Sequence, residues 1–199
     1  MFIQMVQGKC SRQDDMHTVV DGWCADMATQ PGWLGGTYGF TDDDNFVGIV
    51  RYDSAAACEE SCTRPEAAMW WAAAEALFDG TCEIHESEDI TMMLDGGSDD
   101  AGFVQVIRGK VGDVDALRHL VGDQEMTSML HQARPEILGA TLAIESDGSF
   151  TETVAFTDET SARRGEQLEM PADAQAEWER AIAEAQYIDL HRPWFASRR

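Results

Sequence analysis

Apolar residues in this chain alternate with polar ones, then recur every three or four positions, then alternate again, and the whole succession occurs twice. Residues 2 to 10 are rich in Ile, Val and Met and stop at a polar turn, Ser11 to Asp14, which predicts an opening strand. Met16, Val19, Val20, Trp23, Cys24 and Met27 then fall at the spacing that lines one face of a helix. Trp33 to Phe40 and Asn45 to Tyr52 are β-rich runs flanking Thr41-Asp42-Asp43-Asp44, so they predict a hairpin. In the second copy Ser146-Asp147-Gly148-Ser149 stands at the same turn. Asp53-Ser54 suits the cap of a second helix running to about Phe78. Pro65 should interrupt that helix, because its ring removes a backbone N–H and clashes with the preceding turn. Thr81 to about Ser87 reads as a closing strand.

The repetition extends to individual residues. Phe2-Ile3-Gln4-Met5-Val6-Gln7-Gly8-Lys9 returns as Phe103-Val104-Gln105-Val106-Ile107-Arg108-Gly109-Lys110, a separation of 101 that also pairs Asp14 with Asp115. Pro31, Leu34-Gly35, Phe46, Val50 and Tyr52 fall 104 before Pro135, Leu138-Gly139, Phe150, Val154 and Phe156. Glu83-Ile84-His85 falls 106 before Asp189-Leu190-His191. A period near 100 is too long for a solenoid and suits two copies of one small domain. The expected organisation is a first repeat over 1–94, an acidic, glycine-containing linker over 95–100 and a second repeat over 101–199. Within each copy the β-α-β-β-α-β order is ferredoxin-like, an α+β arrangement with both helices on one face of an antiparallel sheet. One copy alone leaves the other sheet face bare. The expected fold is therefore two tandem ferredoxin-like repeats packed sheet to sheet as a pseudo-dimeric α+β barrel, with the duplication standing in for a homodimer. Further pairing of the fused unit is left open.

Composition narrows the setting. With 199 residues, 44% of them apolar, the chain can bury a core or two modest ones. Fourteen basic against thirty-seven acidic residues give a formal charge of −23, which argues against nucleic acid or an anionic membrane as a partner held by charge. No stretch approaches eighteen consecutive apolar residues, and the opening residues are a strand of the repeat rather than a signal peptide, so a cytoplasmic location is expected. The five cysteines all lie in the first repeat and read as reduced thiols. Cys58 and Cys62 are four apart on a predicted helix, too little for a metal centre without further ligands, and no metal is expected.

Arg64-Pro65-Glu66-Ala67-Ala68-Met69-Trp70-Trp71, together with the element order over the whole chain, is similar to the second-helix pattern of the antibiotic biosynthesis monooxygenase-like proteins of the dimeric α+β barrel superfamily. Pro65 and Trp70 fit that pattern; Glu66 and Ala67 stand where His and Phe are usual. The haem-degrading branch places an Asn on the first strand and a Trp and a His on the second helix. Gln4, Ser61 and Trp71 stand nearest those positions, and haem degradation is not expected. The branch that oxygenates phenolic substrates without a cofactor implies a pocket between helices and sheet, walled by aromatic rings, with hydrogen bonds that stabilise a substrate anion. Transferred to this chain, that resemblance makes Trp71, Trp33 and Tyr38 substrate-binding walls. Gln4 becomes the donor to the anion, His85 the base, and Trp70 a third catalytic-site residue. It implies no bound cofactor and a small aromatic molecule as ligand.

Each of these residues has a plain structural reading as well. The tryptophans and Tyr38 suit a core, Gln4 and its repeat Gln105 suit an amide satisfied inside a sheet, and His85 with its repeat His191 suits a structural strand end. The second copy has Ile137 for Trp33 and lacks the double aromatic, since Trp70 aligns with Ala176 or, with the tryptophans matched, Trp178. The expected site is accordingly in the first copy. Three functions follow: an oxygenase acting on a phenolic molecule; a non-catalytic small-molecule-binding or stress-related protein that kept the fold and lost the chemistry; and, as the weakest, an assembly module whose exposed sheet edges or helices join other chains.

Overall fold

In the computed structural model, which describes residues 1–198, the two alternating patterns become two five-stranded antiparallel sheets. The first repeat contributes β1 (Phe2–Lys9), α1 (Gln13–Met27), β2 (Trp33–Phe40), β3 (Asn45–Tyr52), α2 (Ala55–Cys62), α3 (Pro65–Glu75), β4 (Glu83–Ser87) and a short β5 (Asp89–Met93). The second contributes β6 (Phe103–Val111), α4 (Val114–Gly122), α5 (Gln124–Ala133), β7 (Ile137–Ile144), β8 (Ser149–Phe156), α6 (Glu159–Gly165), α7 (Ala172–Ala181), β9 (Ile182–Leu190) and β10 (Trp194–Ser197).

Four strands of each sheet follow the expected ferredoxin-like order, β4-β1-β3-β2 and β9-β6-β8-β7. The fifth strand of each sheet was not foreseen. β5 follows the first repeat in sequence but pairs with β7, and β10 follows the second repeat but pairs with β2. The chain accordingly divides into one compact unit of Met1–Glu88 with the segment from Pro193 onward, and another of Asp89–Arg192. At both docking edges the receiving strand carries a bulge, at Leu34 before Gly35 and at Leu138 before Gly139. Both glycines leave room for the incoming backbone: a Cβ on Gly35 would lie 2.6 Å from the Ala196 carbonyl oxygen, and one on Gly139 only 1.4 Å from that of Gly96.

The core of the first unit joins Phe2, Val6, Phe46, Val50 and Tyr52 of the sheet to Met16, Val20, Trp23 and Met27, the predicted face of α1. That of the second joins Phe103, Ile107, Phe150, Val154 and Phe156 to Ala116, Leu117 and Val121 of α4. In each unit the helix-facing strand positions are every second residue, as the pleat requires. Pro65 splits the long second helix as expected and occupies the first position of α3, where its missing N–H costs nothing.

Many of the aspartates and serines have local duties. Ser54 accepts from the Ala57 N–H at the start of α2, and Asp123 and Asp158 cap α5 and α6 in the same way. Asp113 caps α4 by accepting from the N–H groups of Asp115 and Ala116, both at 3.1 Å. Asp113→Ala should cost about 1 kcal/mol, read as a lower urea midpoint with an unchanged slope. The two lysines do the same job in each copy, pinning the end of the first strand to the following hairpin turn through Lys9–Asp43 and Lys110–Asp147. Among the described residues no helix is long and apolar enough to cross a membrane.

Candidate functional site

The alternation along β8 places Phe150, Glu152, Val154 and Phe156 on the helix side of the second sheet. Three of these are core residues; the fourth is a carboxylic acid. Glu152 sits in register between Ile107 of β6 and Leu142 of β7, both fully or almost fully buried. It is itself only 6% exposed, and its Oε2 has no hydrogen-bond partner among the described residues. Burial alone pushes its pKa up to about 7, because the anion has lost water and gained nothing in exchange.

Glu152 lines a cavity of about 590 Å³ that lies wholly within the second unit. The walls are mainly apolar, with Phe156, Val154 and Ile137 from the sheet, Met93 from β5 and Trp178 from α7. Tyr187, half-exposed, brings a phenol to the same cavity; its pKa is raised by burial and then by the charges of Glu152 and Glu166. Leu168 and Met170, both exposed, border it from the segment between α6 and α7.

One side of the cavity is a closed polar network. Gln105, the repeat of Gln4, donates both amide hydrogens, to Asp189 Oδ1 at 3.0 Å and Glu166 Oε1 at 3.3 Å. Arg163 donates to Glu166 at 3.0 and 3.2 Å, to Glu159 at 3.3 Å and to Asp189, while its guanidinium lies 5.1 Å from the Phe103 ring centroid. Arg134 is likewise engaged, with Glu136 and the Ala162 carbonyl. The charges of this wall are paired, and Glu152 stands apart from them. Chemically the cavity offers an apolar slot of small-molecule size with one base of near-neutral pKa. Among the described residues no three His, Cys, Asp or Glu side chains are grouped to hold a metal ion.

The corresponding region of the first unit is built differently. The repeat offset of 104 puts Gly48 where the second copy has Glu152, and Tyr38 where it has Leu142. Tyr38 pairs with Gly48 across the strands, and a Cβ on Gly48 would meet its ring at 3.1 Å. The ring also folds over Gly36. Tyr38 is thus buried on two glycines, its hydroxyl accepting from the Cys24 thiol at 3.4 Å and its pKa raised by burial. Trp33 is fully buried. Trp70 stacks on Trp23 with centroids 4.5 Å apart and donates its indole N–H to the Val19 carbonyl at 2.9 Å. Trp71 lies half-buried beside it at 6.0 Å. Trp70→Phe, which keeps most of the ring and deletes the donor, should cost about 1 kcal/mol, measurable by denaturant titration.

The remaining two expected site residues lie on opposite faces of the first sheet. Gln4 shares the face of Phe2 and Val6 and donates to Glu86 Oε1 at 2.7 Å. His85 pairs with Met5, one residue out of phase with Gln4, and has Glu83 at 3.4 Å. The structure therefore gathers Trp33, Tyr38 and Trp70 into one core and keeps His85 away from Gln4's face. Glu152, Arg163, Glu166, Tyr187 and Asp189 were not foreseen. A signal for Glu152 was present, since it has the same parity as Phe150, Val154 and Phe156 in the strand.

No protein-family model and no curated protein sequence matches the chain. Among solved structures it is similar over nearly its whole length to a candidate monooxygenase from Lactobacillus acidophilus NCFM, with 13% identity, a TM-score of 0.75, and 99% of this chain and 96% of that one covered. A candidate monooxygenase from Fusobacterium nucleatum gives 12%, 0.74, 98% and 94%, and an anthrone oxidase-like protein gives 10%, 0.68, 98% and 93%. The two-repeat fold is shared with these proteins over nearly the whole chain, in keeping with the fold that the sequence resemblance implied.

Proposed function

We propose that the cavity of the second unit takes a flat, weakly acidic aromatic molecule, a phenol or an anthrone-like carbon acid, and oxygenates it, with Glu152 as the base. The observation that carries this reading is the lone buried carboxyl of near-neutral pKa facing an apolar slot. A carboxylate there costs free energy that transfer of a substrate proton relieves, so its position favours proton abstraction over salt-bridge formation. Support also comes from the fold shared with an anthrone oxidase-like protein over 98% of the chain.

For an anthrone the steps balance without a further reductant. Glu152 removes a proton from the ring methylene, and the delocalised anion passes one electron to O₂. The radical pair joins to form a C–O bond, giving a peroxide anion on the former methylene carbon. That anion takes the proton back from Glu152. Loss of the remaining C–H hydrogen, with cleavage of the O–O bond, then releases water and leaves a quinone carbonyl. The methylene loses four electrons and O₂ gains four, one oxygen entering the product and one leaving as water. Phe156 and Trp178 give the lining aromatic surface for a flat ring, and the apolar wall keeps water from the anion. In this reading Trp33, Tyr38 and Trp70 hold the core of the first unit.

The test is oxygen uptake with anthrone as the probe, for the wild type and for Glu152→Gln. Uptake that rises with pH through an apparent pKa near 7, and is lost in the variant, supports the reading. Wild-type rates in the variant overturn it, and so does anthrone binding without oxygen uptake, which is the behaviour of a binding protein.

A further inference from the structure

Outside the cavity, the first unit holds two thiols in contact. Cys58 and Cys62 lie one turn apart on α2 with their sulfurs 3.8 Å from each other, Cys58 buried in the core and Cys62 exposed. Helix geometry sets their Cα atoms about 6 Å apart, within the span of roughly 4.4–6.8 Å that a disulfide bridges. Cys62 is the last residue of α2. Thr63 closes the helix and Arg64 is already extended, at φ −66° and ψ 145°, ahead of Pro65. The final turn is therefore the part of the helix that can tighten around a new S–S bond with the least loss of backbone hydrogen bonding.

The two sulfurs are chemically unequal. The contact with Cys58 lowers the Cys62 pKa, against burial and the Glu86 charge and with help from Arg64. Cys58 is raised by the same contact and by burial, so Cys62 is the more acidic of the two. An exposed thiolate beside a resolving thiol is the arrangement that peroxide-sensing cysteines need. The other three cysteines lack it: Cys10 is fully buried, Cys24 is engaged with Tyr38, and Cys82 is raised by burial.

We propose that Cys58 and Cys62 are a hydroperoxide-oxidised dithiol that closes to an intrahelical disulfide. The Cys62 thiolate attacks one peroxide oxygen and breaks the O–O bond, giving a sulfenic acid and a hydroxide that leaves as water. The Cys58 sulfur then attacks the Cys62 sulfur, forming S–S and breaking S–O, and the departing hydroxide takes the Cys58 proton. Two thiols lose two electrons and two protons, and hydrogen peroxide becomes two waters.

The experiment treats the full chain with hydrogen peroxide and follows intact mass and peptide maps. The expected product has lost two hydrogens, with the new bond mapped between Cys58 and Cys62 and reversed by a thiol reductant. Cys62, the exposed sulfur of the pair and the one whose pKa is lowered, should be the first of the five thiols to react at pH 7. Cys58→Ser should stop at a sulfenic acid trapped on Cys62 by a dione reagent, and Cys62→Ser should not form the bond. The wild-type map alone decides the matter if the buried substitution harms folding. Oxidation first at Cys10, Cys24 or Cys82, a disulfide between chains, or Cys62 over-oxidised with Cys58 still free would each overturn the proposal.

Discussion

Glu152→Gln is expected to lower turnover of an acidic aromatic substrate by about 10²–10⁴-fold, and Glu152→Leu is expected to make the protein more stable at pH 8. Both results come from one property, a carboxyl held in an apolar slot with an unpartnered oxygen. Gln keeps the shape and a hydrogen-bonding head but cannot take a proton at neutral pH, so the loss falls on the proton-transfer step and binding should survive. The stability effect follows from linkage. The unfolded chain releases this proton near 4.5 and the folded chain near 7, so between those values the folded state holds the extra proton and stability falls as pH rises. The cost is complete above about pH 7, at about 3 kcal/mol for the shift from 4.5 to about 7. Leu has no such proton and fits among Ile107, Leu142 and Phe150. Urea denaturation at pH 5 and at pH 8 should show the gap between variant and wild type widening toward the higher pH. A gap of constant size would mean that Glu152 ionises normally in the folded state.

Gly139→Ala should destabilise the second unit by about 3 kcal/mol or more, in the upper range for overpacked sites. The added methyl group would stand 1.4 Å from the Gly96 carbonyl oxygen and 3.1 Å from that of Leu94. Both are backbone atoms of the turn that leaves β5, and backbone cannot rotate aside as a side chain can. The cheapest relief is for β5 to lift from β7, which also removes Met93 from the cavity wall. Faster hydrogen exchange over Asp89–Met93, with a lower thermal midpoint, would show this. Gly35→Ala, with 2.6 Å to the Ala196 oxygen, should have the same effect on β10 in milder form.

Much of the fold was legible because it is local. β1, α1, β2, β3 and the break at Pro65 follow from alternation, three-and-four spacing and turn chemistry, each confined to a few neighbouring residues. β5 and β10 were not, since a strand of four or five residues has little pattern of its own and exists because an edge far along the chain receives it. α5 lies in the stretch where the repeat offset grows by three residues, so the register between the copies is undefined there and the break that separates α4 from α5 does not show. The site was harder. Aromatic residues can wall a slot or fill it, and what decides here is a pair of glycines, Gly36 and Gly48, that let Tyr38 lie down on its own sheet. Reading the parity of β8 would have isolated Glu152, but whether a buried acid stands free or paired depends on side chains from distant segments. Gln105 shows the difference, engaged with Glu166 and Asp189 on a wall where Glu152 is left over.

Severing the backbone within residues 95–100 would give two fragments, each still carrying a strand addressed to the other: β5 stays with the first, β10 with the second. Neither fragment can complete its own sheet, and each would present the vacant edge of β2 or β7 as a template. Mixed together, the halves should complement one another by mutual strand donation, the behaviour of a split reporter. Kept apart, neither has its proper donor, since a second copy of the first fragment brings only β5 and a second copy of the other only β10.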